Sequence, residues 1–314
     1  MKKIALSLAV TAPFIAPLSA LAETVKIEIE KPEFYGKINL AQEFVQQKDA
    51  GNIAQLNSNS SRLGVKGKIA LDAGLTGIYQ AEFEMYPDDG EKNTNQTFAQ
   101  RNSFIGIEGG FGVVQAGIFD TPFKTAQNKI DLFNDLQGDM KNIVSNSENR
   151  EKNSVQYTSP SVFGLVATVD HINSEDEDVN NGLSASLAYT RGDIYVAYAY
   201  DTDVKTEGTE AQRVVGQYTV GSVQLGALWE TYDNGADSND GWLASAQVKV
   251  GSKTALKAQY GASDIKTEGG QTYSIGADYK LSKAAKTFAY ITAEESDDES
   301  ADAQYYGVGL EYKF

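Results

Sequence analysis

The chain has 314 residues, no cysteine, one histidine and a formal net charge of -16, with 41% hydrophobic residues and a mean hydropathy of -0.37. Without cysteine there is neither a disulfide framework nor a thiolate metal site, and the acidic balance argues against a nucleic-acid partner, which needs a basic surface. Past the N-terminus no apolar run approaches the roughly 20 residues of a membrane-spanning helix, yet the apolar fraction is too high for a disordered chain.

The first segment reads as a targeting signal. Lys2 and Lys3 form a charged start, residues 4–18 are almost all apolar or small, and Ala20-Leu21-Ala22 offers a small-x-small cleavage site. This is the layout of a secretory signal peptide over residues 1–22. The run is short and carries Pro13 and Pro17, which disfavours a membrane anchor. The remainder, residues 23–314, is expected to leave the cytosol as one domain.

From there the dominant period is two, the signature of strands. Phe34, Ile38, Leu40 and Phe44 share one phase; Lys37, Asn39 and Glu43 share the other. Leu63, Val65, Ile69 and Leu71 then oppose Arg62, Lys66 and Lys68. Leu75, Tyr79, Ala81, Phe83 and Met85 oppose Gln80, Glu82 and Glu84. Further on, Leu256, Ala258 and Tyr260 oppose Lys257 and Gln259, and Tyr273, Ile275, Ala277, Tyr279 and Leu281 oppose Ser274, Asp278 and Lys280. The last strand sets Tyr306, Val308, Leu310, Tyr312 and Phe314 against Tyr305, Gly307, Gly309, Glu311 and Lys313.

The connections carry a second signal. Seven are short and hold the glycine, proline, serine or charge that tight turns need, such as Asp72-Ala73-Gly74, Gly109-Gly110 and Arg191-Gly192-Asp193. Between them lie eight longer polar connections, near 46–61, 87–97, 120–151, 171–181, 201–211, 232–241, 263–271 and 294–303. Strict alternation of the two predicts sixteen strands with both ends of the chain on the short-turn side. An all-β transmembrane antiparallel barrel fits: closure leaves no unpaired edge in lipid, the apolar phase faces outward, and the tyrosines supply interfacial girdles. A soluble β-sandwich alternates too, but not with strictly alternating short and long connections.

These residues resemble the general porins of Gram-negative outer membranes. The resemblance runs through Phe34-Tyr35-Gly36-Lys37, Ser61-Arg62-Leu63-Gly64-Val65-Lys66-Gly67 and Arg101-Asn102-Ser103-Phe104-Ile105-Gly106-Ile107. It continues with Gly110-Phe111-Gly112-Val113-Val114-Gln115-Ala116-Gly117, Asn153-Ser154-Val155-Gln156-Tyr157-Thr158-Ser159-Pro160 and Phe163-Gly164-Leu165, and ends on Tyr312-Lys313-Phe314. It implies a homotrimeric, passive channel for small hydrophilic solutes and ions, with outer-membrane lipid, lipopolysaccharide and the barrel-assembly machinery as partners. Tyr312 and Phe314 resemble the assembly signal of that family.

The resemblance also implies that the third long connection folds into the lumen as a constriction. Here it is the longest, and it carries Asp131, Asp135 and Asp139, whose spacing of four would place them on one side of a short helical turn over 131–140. The opposing wall is expected to be basic. Lys37 and Arg62 lie in the lumen phase, Arg101 matches the family position although Ile105 and Ile107 share its phase, and Arg150 and Lys152 open the strand after the loop. Fixed cations facing fixed anions would set a transverse field across the gap. Many family members carry an arginine where this chain has Gln115 and Ile118, so mild cation preference or weak selectivity is expected.

Four long connections, 171–181, 201–211, 232–241 and 294–303, hold 17 acidic residues against Lys205 alone. They keep the surface solvated, or share divalent cations with lipopolysaccharide. No enzyme, cofactor or metal site is indicated: His171 stands alone, with no Gly-x-Ser-x-Gly elbow, phosphate loop or zinc motif. Two other readings stay open, a substrate-selective porin and a plugged structural or adhesive barrel.

Overall fold

The computed structural model describes residues 31–48, 51–91, 96–298 and 302–314. The expected signal peptide, 1–22, lies outside the described residues. Seventeen strands follow in chain order: β1 (Glu33–Gln47), β2 (Gly51–Ser58), β3 (Arg62–Ala70), β4 (Thr76–Met85), β5 (Phe98–Gly109) and β6 (Gly112–Asp120). After the long connection come β7 (Arg150–Thr158), β8 (Leu165–Ile172), β9 (Gly182–Arg191), β10 (Ile194–Thr202), β11 (Glu210–Val220) and β12 (Val223–Asp233). The set ends with β13 (Ser238–Val250), β14 (Thr254–Ser263), β15 (Gly270–Lys280), β16 (Ala285–Glu295) and β17 (Ala303–Lys313). Apart from β2 and β3, which both pair with β1 and not with each other, each pairs antiparallel with its chain neighbours, and β1 pairs with β17, so the sheet closes on itself.

The barrel has sixteen staves. β2 and β3 share one: β1 pairs with β2 along its second half and with β3 along its first. The expected connection at 46–61 is therefore mostly strand. Its sequence hides this because Gly51–Ser58 has no alternating apolar phase; the backbone ladder to β1 holds it. The stave breaks where Ser60 takes a positive φ of 52°.

Burial runs opposite to a soluble protein. In β1 the polar phase Lys37, Asn39 and Glu43 is buried, while Phe34 and Phe44 are exposed. Large apolar side chains cover the outer face, and a band near each end is aromatic. Tyr198, Trp229, Trp242 and Tyr273 mark the long-connection end; Tyr157, Tyr218, Tyr279 and Tyr312 mark the short-turn end. Tyr273 and Tyr279 lie on one strand, so the bands are about 20 Å apart along it, close to the apolar height of an outer membrane.

Closure is made by the chain end. Gly36 N donates to Phe314 O (2.8 Å) and Phe314 N to Gly36 O (3.1 Å). A Cβ at Gly36 would meet the Phe314 ring at 2.4 Å, so this position must be glycine for the ring to lie there.

Candidate constriction site

The 121–149 connection runs inside the barrel. It opens with α1 (Pro122–Thr125), where Thr121 caps the turn by accepting from Lys124 N (3.2 Å) and Pro122 supplies a preset first residue. It closes with α2 (Met140–Ile143), capped by Asp139. No helical turn spans 131–140. The segment is a series of tight turns, with Asp135 at a positive φ of 68°. The expected one-sided aspartate row is thus not formed.

What holds the loop is its apolar side. Phe123, Ile130, Met140 and Val144 pack on Ala197, Ala199, Ala211, Val215, Leu228 and Leu243 of β10 to β13. Phe133 packs on Ala41, Phe288 and Tyr290. Wall side chains then satisfy loop backbone groups: Ser245 Oγ donates to Ile130 O (2.6 Å), Ser263 Oγ to Val144 O (3.0 Å) and Tyr195 OH to Ala126 O (2.8 Å). Gln259 donates to Gly138 O (2.9 Å) and accepts from Leu132 N (2.8 Å).

The three aspartates have separate tasks. Asp131 is buried against the wall, accepting from Phe133 N (3.0 Å), Met140 N (2.9 Å) and Gln259 (3.1 Å). Burial and the nearby Asp139 charge push its carboxyl well above the usual range. Asp139 is also buried; it accepts from Asp135 N (2.9 Å) and Lys141 N (3.0 Å) and pairs with Lys141 (2.9 Å). Only Asp135 crosses the gap, reaching Lys37 at 2.9 Å and Arg62 at 4.0 Å. Burial works against its charge, but these two cations win and hold its carboxyl at about 2.

The structure brings Lys37, Arg62, Arg101 and Arg150 together on this wall. Lys152 lies apart, exposed beside a cavity of about 220 Å³ with Asp203 and Lys205. Arg101 reaches the lumen through an irregularity. Ala81 pairs with Ser103 but Phe83 with Gln100, so Glu82 faces both Arg101 and Asn102. This bulge reverses the alternation, which puts Ile105 and Ile107 outside and Arg101 inside. A matching slip sets Ile118 against Lys152 and Asn153.

The wall is not simply basic. Arg101 pairs with Glu82 and Glu84, each at 2.8 Å; Arg62 lies 3.7 Å from Glu82, and Arg150 pairs with Asp120 at 2.9 Å. Glu82 and Glu84 share the polar phase of β4, the signal that identifies them. Arg213 has no such signal. Fully buried, it donates to Glu230 (2.5 Å), Glu148 (2.7 Å), Ser145 Oγ (2.9 Å) and Phe123 O (3.2 Å), tying both ends of the loop to β11 and β12. Burial pushes the Glu148 carboxyl up to about 7 against the pull of Arg213 and Lys124.

Asp135 sits between two chambers. One, about 550 Å³, is lined by Arg62, Arg101 and Arg150 and by Lys124, Lys129 and Lys141 of the loop, with Glu84, Asp120, Asp135, Asp139 and Glu148 as anions. The other, about 370 Å³, lies toward the short turns. It pairs Lys37, Lys129, Lys257 and Lys286 with Asp131, Asp135, Asp278 and Glu311. Charges of the two signs nearly balance in both.

A closed antiparallel barrel with an apolar outer face and a charged, loop-narrowed lumen is a membrane channel design. The family model described as Gram-negative porin matches residues 5–300. The chain belongs to the Gram-negative porin family. The porin is 25% identical to a monosaccharide porin of a Halomonas species, over 98% of this chain and 99% of that protein. It is 28% identical to the major outer membrane protein P.IB of Neisseria meningitidis serogroup A, over 81% of this chain and 83% of the relative. Among solved structures, an anion-selective porin from Comamonas acidovorans matches with a TM-score of 0.74 at 19% identity, over 90% of this chain and 99% of that one. The trimer form of OmpT from Vibrio cholerae matches with a TM-score of 0.64 at 17% identity, over 90% and 99%. The porin is an outer-membrane channel for passive diffusion, and not an enzyme.

Proposed function

We propose that small hydrophilic solutes and ions cross through the gap between the 121–149 loop and the β1 to β7 wall. Asp135 on one side and Lys37, Arg62, Arg101 and Arg150 on the other form its transverse field. Polar solutes orient in such a field; apolar ones lose hydration without compensation. The observation carrying this is the loop's polarity: its apolar side is spent on the β10 to β13 wall and, through Phe133, on β1 and β16, while Asp135 faces Lys37 and Arg62. Because each arginine of the wall has a carboxylate partner, selectivity between small ions is weak. Residues 1–22 act as the export signal and 23–314 as the outer-membrane domain, assembled as a homotrimer like the trimeric relative. Planar-bilayer conductance under a KCl gradient tests this. Triplet steps with a reversal potential near zero are expected; absence of conductance, or strong selectivity, would overturn it.

A second reading has its own support. The smaller chamber is rich in amides, Asn39, Gln127, Asn128, Asn134, Gln224 and Gln247, which suit sugar hydroxyls, and one relative is a monosaccharide porin. Liposome swelling separates the two: a sugar-selective channel passes hexoses faster than amino acids of equal size, an unselective one does not.

A further inference from the structure

Positive charge is in clear excess at the short-turn mouth. A cavity of about 470 Å³ opens at the short-turn mouth, between the β13–β14 and β15–β16 turns and the end of β17. Lys253, Lys280, Lys283, Lys286 and Lys313 line it, against the single carboxylate of Glu311. The strand register forces these cations together. Lys280 stands directly opposite Lys286, and Lys313 directly opposite Lys37. Like charges facing across a strand pair are destabilising, so the fold carries a cost here that its own residues offset only in part. Lys286 is held by Asp278 (3.0 Å) and Lys37 by Asp135, while Lys313 meets Glu311 at 3.2 Å with most of its side chain in solvent. Lys253, Lys280 and Lys283 form no ion pair among the described residues.

We propose that this mouth cavity binds a soluble anion carrying two or more phosphate groups. Several observations select that chemistry. The cations are all lysines, compact charges on flexible stems, without the planar fork that favours a single bidentate carboxylate. Their spread across three strand ends matches a ligand with several oxyanion groups better than one with a single charge. Ser252 and Ser282 add hydroxyls to the same lining. The site also lies on the conduction path, since the mouth cavity and the smaller chamber share Lys286 and Glu311. Lys286 and Glu311 are register partners, and Glu311 in turn faces the buried, lumen-side Asn39. Lys286 and Glu311 thus open the cavity to the aqueous lumen, while Lys253, 5.8 Å from the outward-facing Tyr279 ring, marks its outer edge.

The inference goes beyond the channel reading and can fail separately from it. Pyrophosphate is added to each side in turn of phosphatidylcholine bilayers containing the porin in KCl. Current block is expected from one side only, with orthophosphate at least tenfold weaker. The triple variant Lys253→Gln, Lys280→Gln, Lys283→Gln should conduct KCl within about twofold of the parent while needing at least tenfold more pyrophosphate for the same block. Calorimetric titration of pyrophosphate into the detergent-solubilised porin and the variant reads the same affinity loss without relying on conductance. Equal block from both sides, block retained in the variant, or no heat of binding would overturn the proposal. Phosphatidylglycerol in the turn-side leaflet is the second arm. If it abolishes the block, the cavity holds a lipid phosphate instead, and the soluble assignment falls.

Discussion

Asp135 is the one loop carboxylate that spans the lumen, and its two cations keep it ionised down to about pH 2. Asp135→Asn should free Lys37 and Arg62 and raise the chloride-to-potassium permeability ratio by roughly twofold, read as a shift in reversal potential. Glu148 behaves in the opposite sense. Its carboxyl, raised to about 7, gains its charge in the larger chamber only as pH climbs through neutrality. Cation preference should therefore grow between pH 6 and 8, and Glu148→Gln should flatten that profile. The sign for stability follows from linkage. A carboxyl with a raised folded pKa favours the folded state most below about pH 4, where both states are protonated, and that advantage is lost as pH rises through about 7. Thermal melts at graded pH, with the Gln variant as control, check it. At this scale Lys37 and Arg62 were legible from strand alternation alone. Arg101 was not legible that way, because a bulge one residue wide separates it from the phase of Ile105 and Ile107. The inward turn of Asp131 and Asp139 left no trace in spacing, since it depends on Gln259 and on the loop's own amides.

The loop is the element on which the channel's shape turns. Arg213 fastens it, its guanidinium 4.3 Å from the Phe123 ring and shared between Glu148 and Glu230. Arg213→Met would leave Glu230 buried without its cation, a loss of about 3–5 kcal/mol. It should appear as a lower melting temperature and as excess open-channel noise from a loosened loop. If noise and melting match the parent, the loop is held by apolar packing alone. This element is legible in the sequence by its length, but its seat is not. The lumen phase of β10 to β13 sets Ala197, Ala199, Ala211, Val215, Leu228 and Leu243 among Asp201, Arg213, Glu230 and Ser245, apolar where the loop covers it, so alternation there gives no clean inner face. The broken β2–β3 stave escaped for the related reason that no apolar partner imprints a period on Gly51–Ser58.

For the whole molecule, net charge is a poor guide to permeation. The acidic excess lies mainly in four outer connections, the two inner chambers are balanced, and the short-turn mouth is basic. A permeating anion therefore meets repulsion first and attraction last. Closure is the other whole-molecule property. Deleting Phe314 removes both backbone bonds to Gly36 and the ring that covers it. The expected result is folded, heat-resistant porin reduced at least tenfold on unboiled gels, with unfolded chain accumulating.

The position of that seam also orders events in time. The stave made by β1 can be completed only once β17 exists, since β17 pairs with β1 and Phe314 with Gly36. A polypeptide cut short by a stalled ribosome or a protease is an open sheet with two raw edges, which lipid does not admit. Closure in lipid thereby waits on β17 having been made, and a chain lacking that strand is expected to stay out of the membrane.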